Sequence, residues 1–132
     1  MTTKPLEILL IEDNRSDAEL VLEGLAGWKS ATRLTVIEDG EQAVRYLLRH
    51  APFESAPVPD LVLLDLNLPR KDGTQVLAEL RENQATAMLP VIVLTTSDRE
   101  QDVRKAYSLH ANCYLTKPLE IDAFMQKMHA IE

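Results

Sequence analysis

The chain has 132 residues, a formal net charge of −7 and 45% hydrophobic residues. That length fits one domain, 1–132, without a separate output domain, and the hydrophobic content supports a packed core. The acidity suits solubility and argues against nucleic-acid binding, which needs a basic patch to meet phosphates.

The N-terminus, Met1-Thr2-Thr3-Lys4-Pro5, has no apolar signal core. No apolar run approaches the ~18 residues of a membrane span. A soluble, cytoplasmic protein without a membrane partner is expected. Strand-like and helix-like periodicities then alternate along the chain. Glu7-Ile8-Leu9-Leu10-Ile11 is a short aliphatic run ending in acid. Ala18, Val21, Leu22 and Leu25 follow at helical spacing. A weaker strand, Arg33-Leu34-Thr35-Val36-Ile37, precedes a helical stripe of Ala43, Val44, Leu47, Leu48 and Ala51. Pro52, Pro57 and Pro59 make 51–59 an extended surface loop.

Leu61-Val62-Leu63-Leu64, flanked by Asp60 and Asp65, is the third strand, and Val76, Leu77 and Leu80 the next helical stripe. Val91-Ile92-Val93-Leu94 is the fourth strand, followed by a thin stripe of Val103, Ala106 and Tyr107. Asn112-Cys113-Tyr114-Leu115-Thr116 is the fifth, and Ile121, Phe124, Met125, Met128 and Ile131 close the chain at a 3–4 spacing. Asp39-Gly40, Asp72-Gly73 and Ser97-Asp98 read as turns or helix starts. Short continuous aliphatic runs alternating with helices predict an α/β fold, a parallel sheet covered on both faces. Cys113 reads as a buried thiol, and His50, His110 and His129 as structural or solvent-facing residues.

In such a sheet, ligands bind beyond the carboxyl ends of the strands. Those ends carry Glu12-Asp13-Asn14, Glu38-Asp39-Gly40, Asp65-Leu66-Asn67, Thr95-Thr96 and Thr116-Lys117-Pro118. Acids, hydroxyls and one lysine therefore gather at one edge. Crowded carboxylates repel unless a cation or proton sits among them. Mg2+ suits this set, because it takes one or two carboxylates and keeps room for a phosphoryl oxygen. A carboxylate can also act as the nucleophile in aspartyl-phosphate chemistry.

These residues resemble the response-regulator receiver family over almost the whole chain. The motifs that carry the resemblance are Glu12-Asp13, then Asp65-Leu66-Asn67-Leu68-Pro69-Arg70-Lys71-Asp72-Gly73, then Thr95, then Lys117-Pro118. The resemblance implies a doubly wound, flavodoxin-like five-stranded sheet of order 2-1-3-4-5 with five helices. It implies that Asp65 is the phosphoacceptor for a sensor histidine kinase. Asp13, Asp65 and the backbone carbonyl of Asn67 correspond to the Mg2+ ligands, with Glu12 acting through water. Thr95 and Lys117 correspond to the groups that bind phosphoryl oxygens. Thr95 and Tyr114 match the family's switch pair, and the Lys117–Pro118 bond its cis peptide.

Leu109-His110-Ala111-Asn112-Cys113-Tyr114, with the Asp65 and Thr95-Thr96-Ser97 segments, is similar to stand-alone regulators that partner bacterial phytochromes. This implies a phytochrome kinase as donor, output through protein contacts or a histidine phosphotransfer protein, and a homodimer as one assembly. Two positions depart from the family pattern. Glu12 stands where Asp is commoner, and Thr96 where a small residue is usual, which narrows access to Asp65. Two other functions compete with this reading. A Mg2+-dependent phosphatase would want a second Asp where Asn67 stands. A phosphorylation-independent adaptor would have no use for the acidic set.

Overall fold

The computed structural model describes residues 5–27 and 31–117, together with Ala123 and Gln126 in helical conformation. Nine elements alternate within it: β1 Leu6–Ile11, α1 Arg15–Ala26, β2 Thr32–Ile37, α2 Gly40–Leu47, β3 Leu61–Asp65, α3 Gly73–Glu82, β4 Val91–Thr95, α4 Glu100–Ser108 and β5 Cys113–Thr116. The five strands pair in parallel in the order β2-β1-β3-β4-β5. The expected fold class and strand order are therefore observed. The fifth helical stripe and the Lys117–Pro118 bond lie outside the described residues. Among the described residues the cis bond is Ala51–Pro52.

The continuous aliphatic runs become buried strands because both faces of the sheet are covered. Side chains alternate across it with a period of two. Leu9, Ile11, Val62, Leu64, Val91 and Val93 point to the face covered by α2, α3 and α4. Ile8, Leu10, Leu61, Leu63, Ile92 and Leu94 point to the face where Val21 and Leu25 of α1 pack, and Cys113 is buried with them. No helix among the described residues is long and apolar enough to cross a membrane.

Two predicted helix starts are true caps. Asp39 Oδ1 accepts from the Gln42 amide at 2.7 Å. Asp72 Oδ1 accepts from the Gln75 amide at 2.9 Å, while the Asp72 amide donates to Gln75 Oε1 at 3.1 Å, a reciprocal capping box. The third differs. The residue before α4 is Arg99, which makes no side-chain cap bond, so Ser97-Asp98 lies in the preceding loop.

Helix faces are also narrower than the spacing suggests. Leu22 is 56% exposed, and Ala51 lies beyond the end of α2 and is exposed. Tyr46 is buried instead, with its ring edge-on to Phe53 at 5.3 Å, which fastens the 48–60 loop to the core. In α4 only Ala106 is buried, and Tyr107 is 48% exposed.

Two glycines let the loops at the carboxyl edge close up. A Cβ on Gly73 would lie 2.2 Å from the Asp65 carbonyl oxygen, and one on Gly40 would lie 1.8 Å from that of Lys71. Without side chains there, α3 starts directly against Asp65, and the 66–72 loop rests on the start of α2. Arg81 holds the opposite end of α3. Its guanidinium donates to the carbonyls of Thr86, Ala87, Leu89, Leu109 and His110.

Candidate functional site

Parallel pairing brings the carboxyl ends of β1 and β3 side by side, with Ile11 opposite Leu64. The next residues along these two strands are Glu12 and Asp65. Glu12 is 1% exposed and Asp65 is 3% exposed, while the neighbouring Asp13 faces solvent. The carboxylates of Glu12, Asp13 and Asp65 each offer an oxygen within 4.8 Å of the others.

Lys117 follows β5 and reaches across β4 into this cluster. Its Nζ donates to Glu12 Oε1 at 2.5 Å, Asp17 Oδ2 at 2.8 Å and Asp65 Oδ2 at 3.1 Å. Its side chain is 6% exposed. Three carboxylates thus share one ammonium, with that of Asp13 beside them. Burial pushes the Glu12 carboxyl up to about 7, and the Asp65 carboxylate adds to this against the opposing pull of Lys117. Burial draws Lys117 down, but hydrogen bonds to Asp17, Glu12 and Asp65 outweigh it and hold the ammonium above the ordinary lysine range. The donor set is all oxygen, excess negative and partly open at Asp13. A hard divalent cation fits it.

The loop after β3 closes over Asp65. The Asn67 amide donates to Asp65 Oδ1 at 3.0 Å. Its side-chain Nδ2 donates to Thr95 Oγ1 at 3.4 Å and to Thr96 Oγ1 at 3.3 Å. Thr95 is fully buried at the end of β4, and its carbonyl accepts from the Lys117 amide at 2.7 Å. The Thr96 hydroxyl therefore belongs to the rim above Asp65. Farther out, the half-buried Tyr114 of β5 donates its hydroxyl to the Ser97 carbonyl at 2.7 Å. Burial raises its phenol above the ordinary value.

The structure brings together Glu12, Asp13, Asp65, Asn67, Thr95 and Lys117 at one edge. Tyr114 stands behind them on β5, with its hydroxyl on the β4–α4 loop, and Pro118 lies outside the described residues. Asp39 is occupied as the α2 cap. Sequence reasoning missed Asp17. An acid in the first turn of a helix is favoured by the helix dipole alone, so nothing marked it as a lysine partner. Ser97, read with Asp98 as a turn or helix start, lies in the loop before α4, and what that reading did not show is that its carbonyl accepts from Tyr114.

Comparison with known proteins agrees with this geometry. The response regulator receiver domain model matches residues 8–129. Response regulator Rcp1 of Synechocystis sp. is 44% identical over 128 residues, covering 97% of this chain and 87% of that protein. The Mn2+-bound form of Rcp1 superposes with a TM-score of 0.87, covering 97% of this chain and 92% of that one. The phosphorylated cyanobacterial phytochrome response regulator RcpA is 40% identical with a TM-score of 0.87, covering 98% and 92%. The bacteriophytochrome response regulator RtBRR is 38% identical with a TM-score of 0.85, covering 96% and 77%. The chain belongs to the response-regulator receiver family, as a phosphoacceptor of two-component signalling similar to phytochrome response regulators.

Proposed function

We propose that Asp65 accepts a phosphoryl group from the phosphohistidine of a sensor kinase of the phytochrome kind. A carboxylate oxygen of Asp65 bonds to phosphorus as the donor N–P bond breaks, and the imidazole keeps the electron pair. Asp13, Asp65 and the backbone carbonyl of Asn67 would hold Mg2+, with Glu12 reaching it through water. When bound, that cation neutralises charge on the transferring group. The Thr95 hydroxyl and the Lys117 ammonium donate to phosphoryl oxygens. The protein thereby assists its own phosphorylation and dephosphorylation without turning over a diffusible substrate. Mn2+ in a form of Rcp1 supports a divalent cation here.

The observation that carries this reading is the placement of Asp65, buried at a strand end between an ammonium and two further carboxylates. Thr95 and Tyr114 act as the switch, shifting the surface of α4 and β5. The signal leaves through protein contacts or onward transfer to a histidine phosphotransfer protein. The chain acts as a single receiver domain in the cytoplasm, and a homodimer is one form in which that surface is used.

Intact-mass measurement with Mg2+ and acetyl phosphate tests the assignment. Wild type is expected to gain one phosphoryl group, mapped to Asp65, and Asp65→Asn none. No gain by wild type, or equal gain by the variant, refutes it.

A further inference from the structure

Lys117 has three N–H donors, and each already has a carboxylate: Glu12, Asp17 and Asp65. Two of these partners have other work. Asp65 is the proposed phosphoacceptor, and Glu12 and Asp65 both belong to the carboxylate group that could hold a cation. Asp17 stands outside that group. It lies in the first turn of α1, where Asn14 already fills the capping role by accepting from the Asp17 amide at 3.0 Å. The Asp17 carboxylate is therefore not the cap of its own helix, and it reaches across to the lysine that follows β5.

Phosphorylation changes these three partners unequally. Once one Asp65 oxygen bonds to phosphorus, the other becomes a neutral carbonyl, and the negative charge moves to the phosphoryl oxygens. The donor held by Asp65 is then free to follow that charge. The donor held by Asp17 has no reason to leave, because Asp17 keeps its charge throughout. We infer that Asp17 is a positioning residue: it mounts the Lys117 ammonium on α1, so that one donor exchanges from Asp65 to the phosphoryl group while the ammonium stays in place. This rests on the reading of Asp65 above and adds to it a fixed anchor outside the metal-binding set.

The test uses two readouts on the full chain. The first is the rate of phosphorylation by acetyl phosphate at saturating Mg2+. Asp17→Ala is expected to slow it by about 3- to 10-fold, the scale of one partly exposed charged hydrogen bond. Asp17→Asn, which keeps a carbonyl acceptor, falls between. The second is the 1H–15N correlation of the Lys117 ammonium, whose protons exchange slowly only when all are bonded. It is expected in wild type and absent in Asp17→Ala. A rate within twofold of wild type overturns the inference. So does a slowed rate with the ammonium signal intact, or a wild type that lacks the signal. Should Asp17→Ala fail to fold, Asp17→Asn decides by a weakened signal and an intermediate rate. Failure of wild type to be phosphorylated on Asp65 would instead refute the assignment of the site itself.

Discussion

Glu12 makes the stability of the metal-free protein depend on pH in a direction opposite to that of most paired carboxylates. Its carboxyl lies near 7 in the fold, against an ordinary 4.5, because burial and the adjacent Asp65 disfavour its charge more than Lys117 favours it. A raised folded value means that the folded state binds the proton more tightly than the unfolded chain. Its contribution to stability is therefore fully present below pH 4.5 and is lost as pH rises through about 7. At ~1.36 kcal/mol per tenfold in proton affinity, the loss is about 3 kcal/mol. Urea unfolding of wild type and Glu12→Gln in chelator between pH 4.5 and 8 isolates it, since Gln cannot ionise. The stability of Glu12→Gln relative to wild type should climb by about 3 kcal/mol across that window and then level. The pull of Lys117 on the ionised carboxylate is already contained in the value near 7, so it adds no separate slope to the curve. A flat difference, or one that shrinks with pH, would refute the reasoning.

Two further substitutions probe the frame of the site. Arg81→Met keeps the aliphatic stem but strips the donors from five carbonyls, and should cost about 2–3 kcal/mol in urea unfolding, with faster amide exchange at 86–89 and 109–112. Unchanged exchange in those segments would contradict the clasp. Gly73→Ala places a methyl 2.2 Å from the Asp65 carbonyl, so α3 must retreat. It should lose about 1–3 kcal/mol of stability and bind Mg2+ more weakly by calorimetry, whereas wild-type values on both counts would show that the contact relaxes freely.

The sheet was legible because its three central strands are aliphatic runs that have to be buried on both faces, and their polar ends therefore stand out. Asp65 directly after Leu61-Val62-Leu63-Leu64 is the clearest instance. Asp39 and Asp72 were legible as caps because each precedes a glycine that starts a helix. The failures came where tertiary packing decides. Leu22 has helical spacing but falls off the face that α1 turns to the sheet. Tyr46 outcompetes Ala51 because the 48–60 loop brings Phe53 to its ring. Nothing local announces that Arg81 will gather carbonyls from two separate loops, or that Asp17 will meet a lysine 100 positions away.

That separation is a general property of the site. Lys117 meets Glu12 across 105 positions and Asp65 across 52. Contacts of such span form only after most of the chain has paid its loop-closure entropy, so they arise late in folding. A nascent or partly unfolded chain carries Asp65 without its lysine. If Asp65 and Lys117 act as proposed, receiving a phosphoryl group requires that β1, β3 and β5 have all docked, and a chain lacking that docking is expected not to be phosphorylated.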